Sequence, residues 1–271
     1  MSVGTDIKAG QPLAPGLYLV ATPIGNLEDI TLRALRILGS VDRIACEDTR
    51  QTQKLLNHFE IRTPTVSYHM HNEGPRAEEL TAELKQGARI AIVSDAGTPG
   101  IADPGGQIAA AAIAAGIHVF PVPGANAALS ALIASGLPTD HFTFHGFLPA
   151  KAGQRKTALE ELPRDGATHI FYEAPHRIVD TLADLETVFG AAQPIVIARE
   201  ITKLHEEFLR GPIAELRAQL DARPSIRGEI VLLLAPEQKI ERQQTTIATE
   251  VAALMHSEKI SEMDALKRVA R

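Results

Sequence analysis

Several turns in this chain bring glycine, proline and polar residues together where a ligand could be held. The densest is SDAGTPGIADPGG at residues 94–106. Glycines at such a position let the backbone approach a ligand closely, and a helix start that follows offers unpaired N–H groups. Asp95 and Asp103 in this stretch are suited to accept hydrogen bonds from ribose hydroxyls or an amine. ATPIGNL at 21–27 and PGANA at 123–127 are two further turns of this kind, each following an apolar run. Any one of them alone reads as a simple tight turn. Three on one edge of a sheet read as ligand loops.

Other segments are more ambiguous. In YHMHNE at 68–73, His69 and His71 share one face if the preceding strand continues, and Glu73 adds a carboxylate. Two histidines without a third committed ligand make a poor metal site, so no metal is expected. EDTR at 47–50 supplies Glu47, Asp48 and Arg50 at a strand end, but acidic residues are also ordinary at a helix start. EAPHR at 173–177 and REITKLHE at 199–206 crowd polar residues at strand ends, where structural ion pairs explain them as well as function does. GxGxxG, GxxxxGK and GxSxG are absent, so dinucleotide, phosphate-loop and serine-hydrolase chemistry lose support.

The elements that must position these turns follow from hydrophobic periodicity. Strands are expected at 17–21, 43–46, 65–68, 89–94 and 117–122, alternating with helices at 31–38, 51–59, 76–86 and 106–115. Leu32, Leu35 and Leu38 line one helical face while Arg33 and Arg36 point away. That alternation predicts an α/β domain with a largely parallel sheet. Further strands are expected at 141–147, 168–172, 194–199, 206–211 and 228–235, with helices at 125–135, 155–161, 178–188 and 212–222. Some of these strands are joined by short links, which predicts a mixed sheet. The expected division is a loose leader at 1–16, a first α/β domain at 17–122, a second at 123–236 and a helical tail at 237–271. In the tail, Ile247, Val251 and Leu254 share a helical face, and Ser261 is placed to cap a second helix, giving the outline of a partial helix-turn-helix.

Composition bounds the function classes. The 271 residues carry 27 Lys+Arg against 33 Asp+Glu, a net charge of −6. With no tryptophan and 4% aromatic residues, a protein that grips bare nucleic acid by charge or base stacking is disfavoured. A nucleic-acid substrate would therefore be docked by shape or as an assembled particle. The longest apolar runs, 108–115 and 230–235, fall far short of the ~20 residues of a membrane helix. The start of the chain lacks signal-peptide character, and the single Cys46 fits a reducing, cytoplasmic setting.

Taken together, LVATPIGNL (19–27), TLRAL (31–35), EDTR, SDAGTPGIADPG, PGANA and EAPHR closely resemble the tetrapyrrole methylase superfamily, within it the branch that methylates small-subunit ribosomal RNA. The resemblance runs from about residue 17 to residue 236. It implies a two-domain α/β fold, with S-adenosylmethionine in the cleft between a substrate-side first domain and a cofactor-side second one. It also implies 2′-O-methylation of a cytidine in the decoding region of 16S rRNA on small ribosomal subunits, a homodimer and no metal. Asp95 falls where the superfamily has Gly-Asp-Pro, though its flanks differ. Gly97, Thr98 and Ile101 follow it in the same loop. PGANA aligns with the superfamily's Pro-Gly-Val-Ser-Ser, which puts Asn126 and Ala127 at the cofactor. Tyr172, Glu173, Ala198 and Gly228 align with cofactor-wall positions. Pro23 and Gly25 stand where tetrapyrrole enzymes have a glycine-dense run, a departure that suits a larger acceptor. Methylation of a tetrapyrrole or other small molecule on the same fold is the alternative. The base for attack by a ribose hydroxyl is open among His71, Asp48 and Glu47, with Arg50 to position phosphate.

Overall fold

RIAIV and IVLLL lack polar alternation, as strands buried on both faces must. In the computed structural model, which describes residues 13–236, 251, 255–257, 259 and 261–269, both runs form central strands. The first sheet contains β1 (Gly16–Val20), β2 (Arg43–Cys46), β3 (Thr65–Ser67), β4 (Arg89–Val93) and β5 (Val119–Val122). All its pairings are parallel, in the order β3-β2-β4-β1-β5. Between these strands lie α1 (Leu32–Leu38), α2 (Thr49–His58), α3 (Glu73–Lys85) and α4 (Gly106–Ala114). Apolar clusters cover both faces of the sheet, one around Ile37, Ile44 and Leu56, the other around Tyr68, Leu80 and Ile108.

The second sheet is mixed, as short connections predict. It holds β6 (Phe142–Phe147), β7 (Thr168–Glu173), β8 (Pro194–Arg199), β9 (Glu207–Pro212) and β10 (Ile230–Leu234), in the order β6-β7-β10-β8-β9. Only β6 and β7 pair in parallel. α5 (Ala127–Ser135) packs on one face through Ala131 and Leu132. α6 (Ala152–Glu160), α7 (Ile178–Phe189) and α8 (Ile213–Asp221) cover the other. Contacts divide the chain at Pro236 into a unit holding both sheets and a second unit from Glu237. In the latter, α9 (Glu262–Val269) begins at Ser261, whose Oγ accepts from the Asp264 amide at 3.3 Å. Val251 is buried, whereas Ile247, Leu254 and residues 1–12 of the leader expected at 1–16 lie outside the described residues.

Several boundaries differ from the periodic expectation for local reasons. α2 starts at Thr49 because the Asp48 carboxylate caps it, accepting from the Arg50 amide at 2.8 Å. α3 starts at Glu73, before a Gly74-Pro75 pair that looks like a breaker; proline is tolerated in a first helical turn, where its missing N–H has no partner to lose. α5 starts at Ala127 because Asn126 accepts from the Leu129 amide at 3.0 Å. β3 stops at Ser67 rather than running through Tyr68, so His69 and His71 lie in a turn and not along a strand face.

A buried ion pair ties α6 to α7 in the helical layer of the second sheet. Arg155 on α6 donates through Nε to Asp184 Oδ2 on α7 at 2.7 Å, with side chains only 5% and 9% exposed. Removing one partner strands a buried charge, which costs far more than the pair contributes. Asp184→Ala should lose about 3–5 kcal/mol in urea unfolding, and the Arg155→Met, Asp184→Leu double substitution should recover most of it.

Candidate active site

The order β3-β2-β4-β1-β5 puts a topological switch between β1 and β4, because the chain leaves these neighbouring strands in opposite directions. Ligands in open α/β sheets bind outside the carboxyl ends of strands at such a point. Here the two departing loops are stitched together. Thr22 and Gly97 exchange backbone bonds, at 2.8 Å from the Thr22 amide and 3.0 Å from the Gly97 amide. Gly97 has a φ of +83°, and a Cβ there would sit 3.2 Å from Ile24 Cγ2. The loop after β5 joins them, since Thr98 Oγ1 donates to the Ala125 carbonyl at 3.1 Å.

A cavity of about 440 Å³ opens where these loops face the second sheet. That volume lies within the ~300–1,000 Å³ of small-molecule sites. From the first half come Ile24, Glu47, Asp95, Gly97, Thr98, Ile101 and Asp103. The second half supplies Asn126 and Ala127 at the head of α5, Tyr172 and Glu173 at the end of β7, and Gly228 beside β10. The backbone at Gly228 is left-handed (φ +91°), and a Cβ there would lie 2.4 Å from Glu200 Cδ, so a side chain at this position would be strained and would displace Glu200. Phe147 also lines the cavity, with its ring 5.6 Å from that of Tyr172, and Phe144 stacks edge-on against Tyr172 at 4.9 Å.

The polar groups form an acidic end. Burial pushes the Glu47 carboxyl up, and neighbouring Asp95 adds to the shift. Asp103 is pushed up to about 6, first by burial, then by the Glu47 charge; the Ser94 hydroxyl opposes the shift and Asp95 reinforces it. Asp95 is turned by a bond from the Asp48 amide to its Oδ1 at 3.0 Å. Glu229 reaches the rim but is paired with Lys203 at 3.0 Å. Glu173 is fully buried, and its carboxylate is satisfied by Thr181 Oγ1 at 2.6 Å, the Ala174 amide at 2.8 Å and Arg177. It serves as a structural post in the wall, not as a free charge.

Of the residues expected from sequence, Asp95, Gly97, Thr98, Ile101, Asn126, Ala127, Tyr172, Glu173 and Gly228 share this cavity, and Glu47 joins them. Others lie elsewhere. Pro23 and Gly25 flank the contributing residue, Ile24, and Gly25 packs against Lys203 instead. Ala198 is fully buried in the core beneath α5, across the ladder from Val231, which does line the cavity. Asp48 spends its carboxylate on the α2 cap and on Arg50, and the Arg50 side chain is 88% exposed, outside the cavity. His71 is exposed in the 69–71 turn, its ring 5.9 Å from that of His69. Among the described residues, no group of three or more His, Cys, Asp or Glu side chains is arranged to hold a metal. Glu229, Phe147 and Ile201 were not foreseen, because strand order rather than local sequence brings them in.

The raised Asp103 carboxyl has a consequence for stability. Between its unfolded value near 4 and its folded value near 6 the native state holds the proton more tightly, so the group costs stability as pH rises through that window. Asp103→Asn should therefore melt higher than the parent protein at pH 7.5, and that advantage should vanish below pH 4. An equal difference at both pH values would place Asp103 in ordinary solvent.

Comparison with known proteins identifies the family. The model for tetrapyrrole (corrin/porphyrin) methylases matches residues 16–217. A curated protein of Halalkalibacterium halodurans named ribosomal RNA small subunit methyltransferase I is 53% identical over 84% of this chain and 78% of its own length. One of the same name from Vibrio cholerae is 46% identical over 98% of this chain and 96% of its own. Among solved structures, a uroporphyrin-III-C-methyltransferase from Thermus thermophilus superposes with a TM-score of 0.57 at 23% identity, covering 82% of this chain and 94% of that one, which is a likeness of fold. The chain belongs to the tetrapyrrole methylase family, among the relatives named ribosomal RNA small subunit methyltransferase I.

Proposed function

We propose that this protein uses S-adenosylmethionine to methylate the 2′-hydroxyl of a cytidine in the decoding region of 16S rRNA, acting on small ribosomal subunits. The observation that carries the cofactor half is the cavity itself, which combines apolar and aromatic walls, glycine-lined backbone and an acidic end. Tyr172, Phe147, Ile201 and Val231 offer the walls a purine needs, while Asp95, Glu47 and Asp103 suit a ligand with a cationic amine and sulfonium. Gly97 and Gly228 adopt left-handed backbone in the cavity lining, where a side chain would press on Ile24 and Glu200 respectively. The acceptor half rests on relatives at 46–53% identity named for ribosomal RNA. The two halves of the large unit would then divide the work, with 17–122 on the substrate side and 123–236 on the cofactor side. The same proposal extends to a cytoplasmic homodimer.

When bound, S-adenosylmethionine supplies an electrophilic methyl group whose carbon–sulfur bond breaks as the new oxygen–carbon bond forms, the electron pair leaving on sulfur. What remains for the chain is to orient the hydroxyl and take its proton. Of the three bases expected from sequence, only Glu47 lines the cavity. Asp103 is the better matched group, since it is half-buried, faces Glu47, and at about 6 is ionised at neutral pH yet basic enough to accept a proton.

Isothermal calorimetry tests the cofactor site. Gly97→Val forces a branched residue into a left-handed backbone against Ile24, and should weaken S-adenosylmethionine at least tenfold, about 1.4 kcal/mol, without unfolding the protein. Wild-type affinity in that variant would move the site elsewhere. For the acceptor, the net charge of −6 argues against tight binding to naked RNA. Labelled methyl transfer should be far faster to small subunits than to protein-free 16S rRNA, and absent with uroporphyrinogen; transfer to uroporphyrinogen would favour the small-molecule alternative.

A further inference from the structure

The YHMHNE segment takes no part in the chemistry just described, yet it reaches the loop that carries Asp103. Glu73, the first residue of α3, is 9% exposed. Its Oε1 accepts from the Tyr68 hydroxyl at 2.9 Å and from the Gly105 amide at 3.1 Å. Gly105 is the residue that opens α4, so a single oxygen joins the end of β3, the start of α3 and the start of α4. Burial and the Glu73 carboxylate together raise the Tyr68 phenol well above its usual range, so it remains a donor to this oxygen.

The chain between the loop and α4 is closed on itself. The Gly100 amide donates to the Pro104 carbonyl at 3.1 Å, and a Cβ on Gly105 would lie 3.1 Å from Gly100 N. Ala102 sits within this closure in a left-handed conformation (φ +60°) that alanine rarely adopts, and Asp103 follows it directly. A strained turn persists only where its ends are fixed. One end is stitched to Thr22 through Gly97, and the other is held at Gly105 by Glu73.

We propose that Glu73 is a positioning residue: by holding Gly105 at the head of α4, it keeps Asp103 turned into the cavity beside Glu47. This rests on Asp103 as the base proposed above. The groups that face Asp103 are Glu47 beyond β2, Ser94 and Asp95 beyond β4, and Tyr172 on β7. If Gly105 were released, Asp103 would swing from these neighbours into solvent and titrate like an ordinary carboxylate.

The test is kcat/KM against pH with small ribosomal subunits, alongside calorimetric affinity for S-adenosylmethionine. In the parent protein the rate should fall below pH ~6 as the base takes up its proton. Glu73→Gln keeps a carbonyl oxygen for both donors, and should retain that limb and activity within threefold. Glu73→Asp draws the acceptor back by one carbon; it should lose at least tenfold in kcat, with the acid limb displaced toward pH 4 and cofactor affinity within threefold. Should Glu73→Asp fail to fold, Glu73→Met carries the same expectation, since it fills the volume and offers no acceptor. A folded variant with the parent limb and kcat overturns the proposal. So does a proportional loss of cofactor affinity and rate, which would make Glu73 a support of the whole loop. Asp103→Asn separates the two levels. If it turns over normally, the base assignment fails; if it is impaired while Glu73→Asp is not, only the positioning role fails.

Discussion

Two backbone hydrogen bonds between Thr22 and Gly97 hold the rest of the site in register. They bind the loops that leave β1 and β4 in opposite directions, and so close the bottom of the crevice that strand order opens. Their formation requires a left-handed residue at 97 with no side chain facing Ile24. Ile24 in turn leaves the first sheet and enters the apolar cluster of the second, among Ala128, Leu132, Val196 and Val231. One short loop therefore fixes the β4 loop, the head of α5 and the second sheet to one another. The loops that line the cavity from both sheets thus meet at that joint.

Holding Glu47, Asp95 and Asp103 together works against folding. Burial and repulsion from neighbouring carboxylates raise Glu47 and Asp103, so both groups cost stability once pH has risen past their folded values. Structural carboxylates elsewhere in the chain are treated differently: Glu207, clasped by Arg199 and Arg223, is lowered to about 2. Among the described residues no Lys or Arg clasps Glu47, Asp95 or Asp103 in this way, which suits the cationic cofactor proposed above.

How much of this was legible in the sequence depends on how far each signal travels. Strands such as β2 and β8 are readable to the residue, because polar or proline residues bound their apolar runs. The first turn of α3 is not, because Gly74-Pro75 signals a break that position in the helix overrides. The glycine-rich loop announces itself locally; the cap at Asn126 does not, since apolar periodicity carries the expected helix back to 125. Phe147, Ile201 and Glu229 do not, since each reaches the cavity only through the order β6-β7-β10-β8-β9. Ala198 is a near miss with a definite cause. Its cross-strand partner Val231 lines the cavity, while α5 and the Ile24 cluster bury Ala198 itself.

The YHMHNE turn illustrates a different limit. Two histidines and a glutamate at short spacing look like ligands when side chains alone are weighed. The backbone decides otherwise: Asn72 Oδ1 takes the His69 amide at 2.8 Å, the strand ends, and the histidines are carried around a turn. Glu73 is then the first residue of a helix, free to reach a second helix start at Gly105 rather than a metal. A carboxylate between two helix N-termini is stabilised by both sets of N–H dipoles, and Glu73 meets that demand here. Glu73 is thus placed by the fold, together with Tyr68, against the loop on which the proposed chemistry depends.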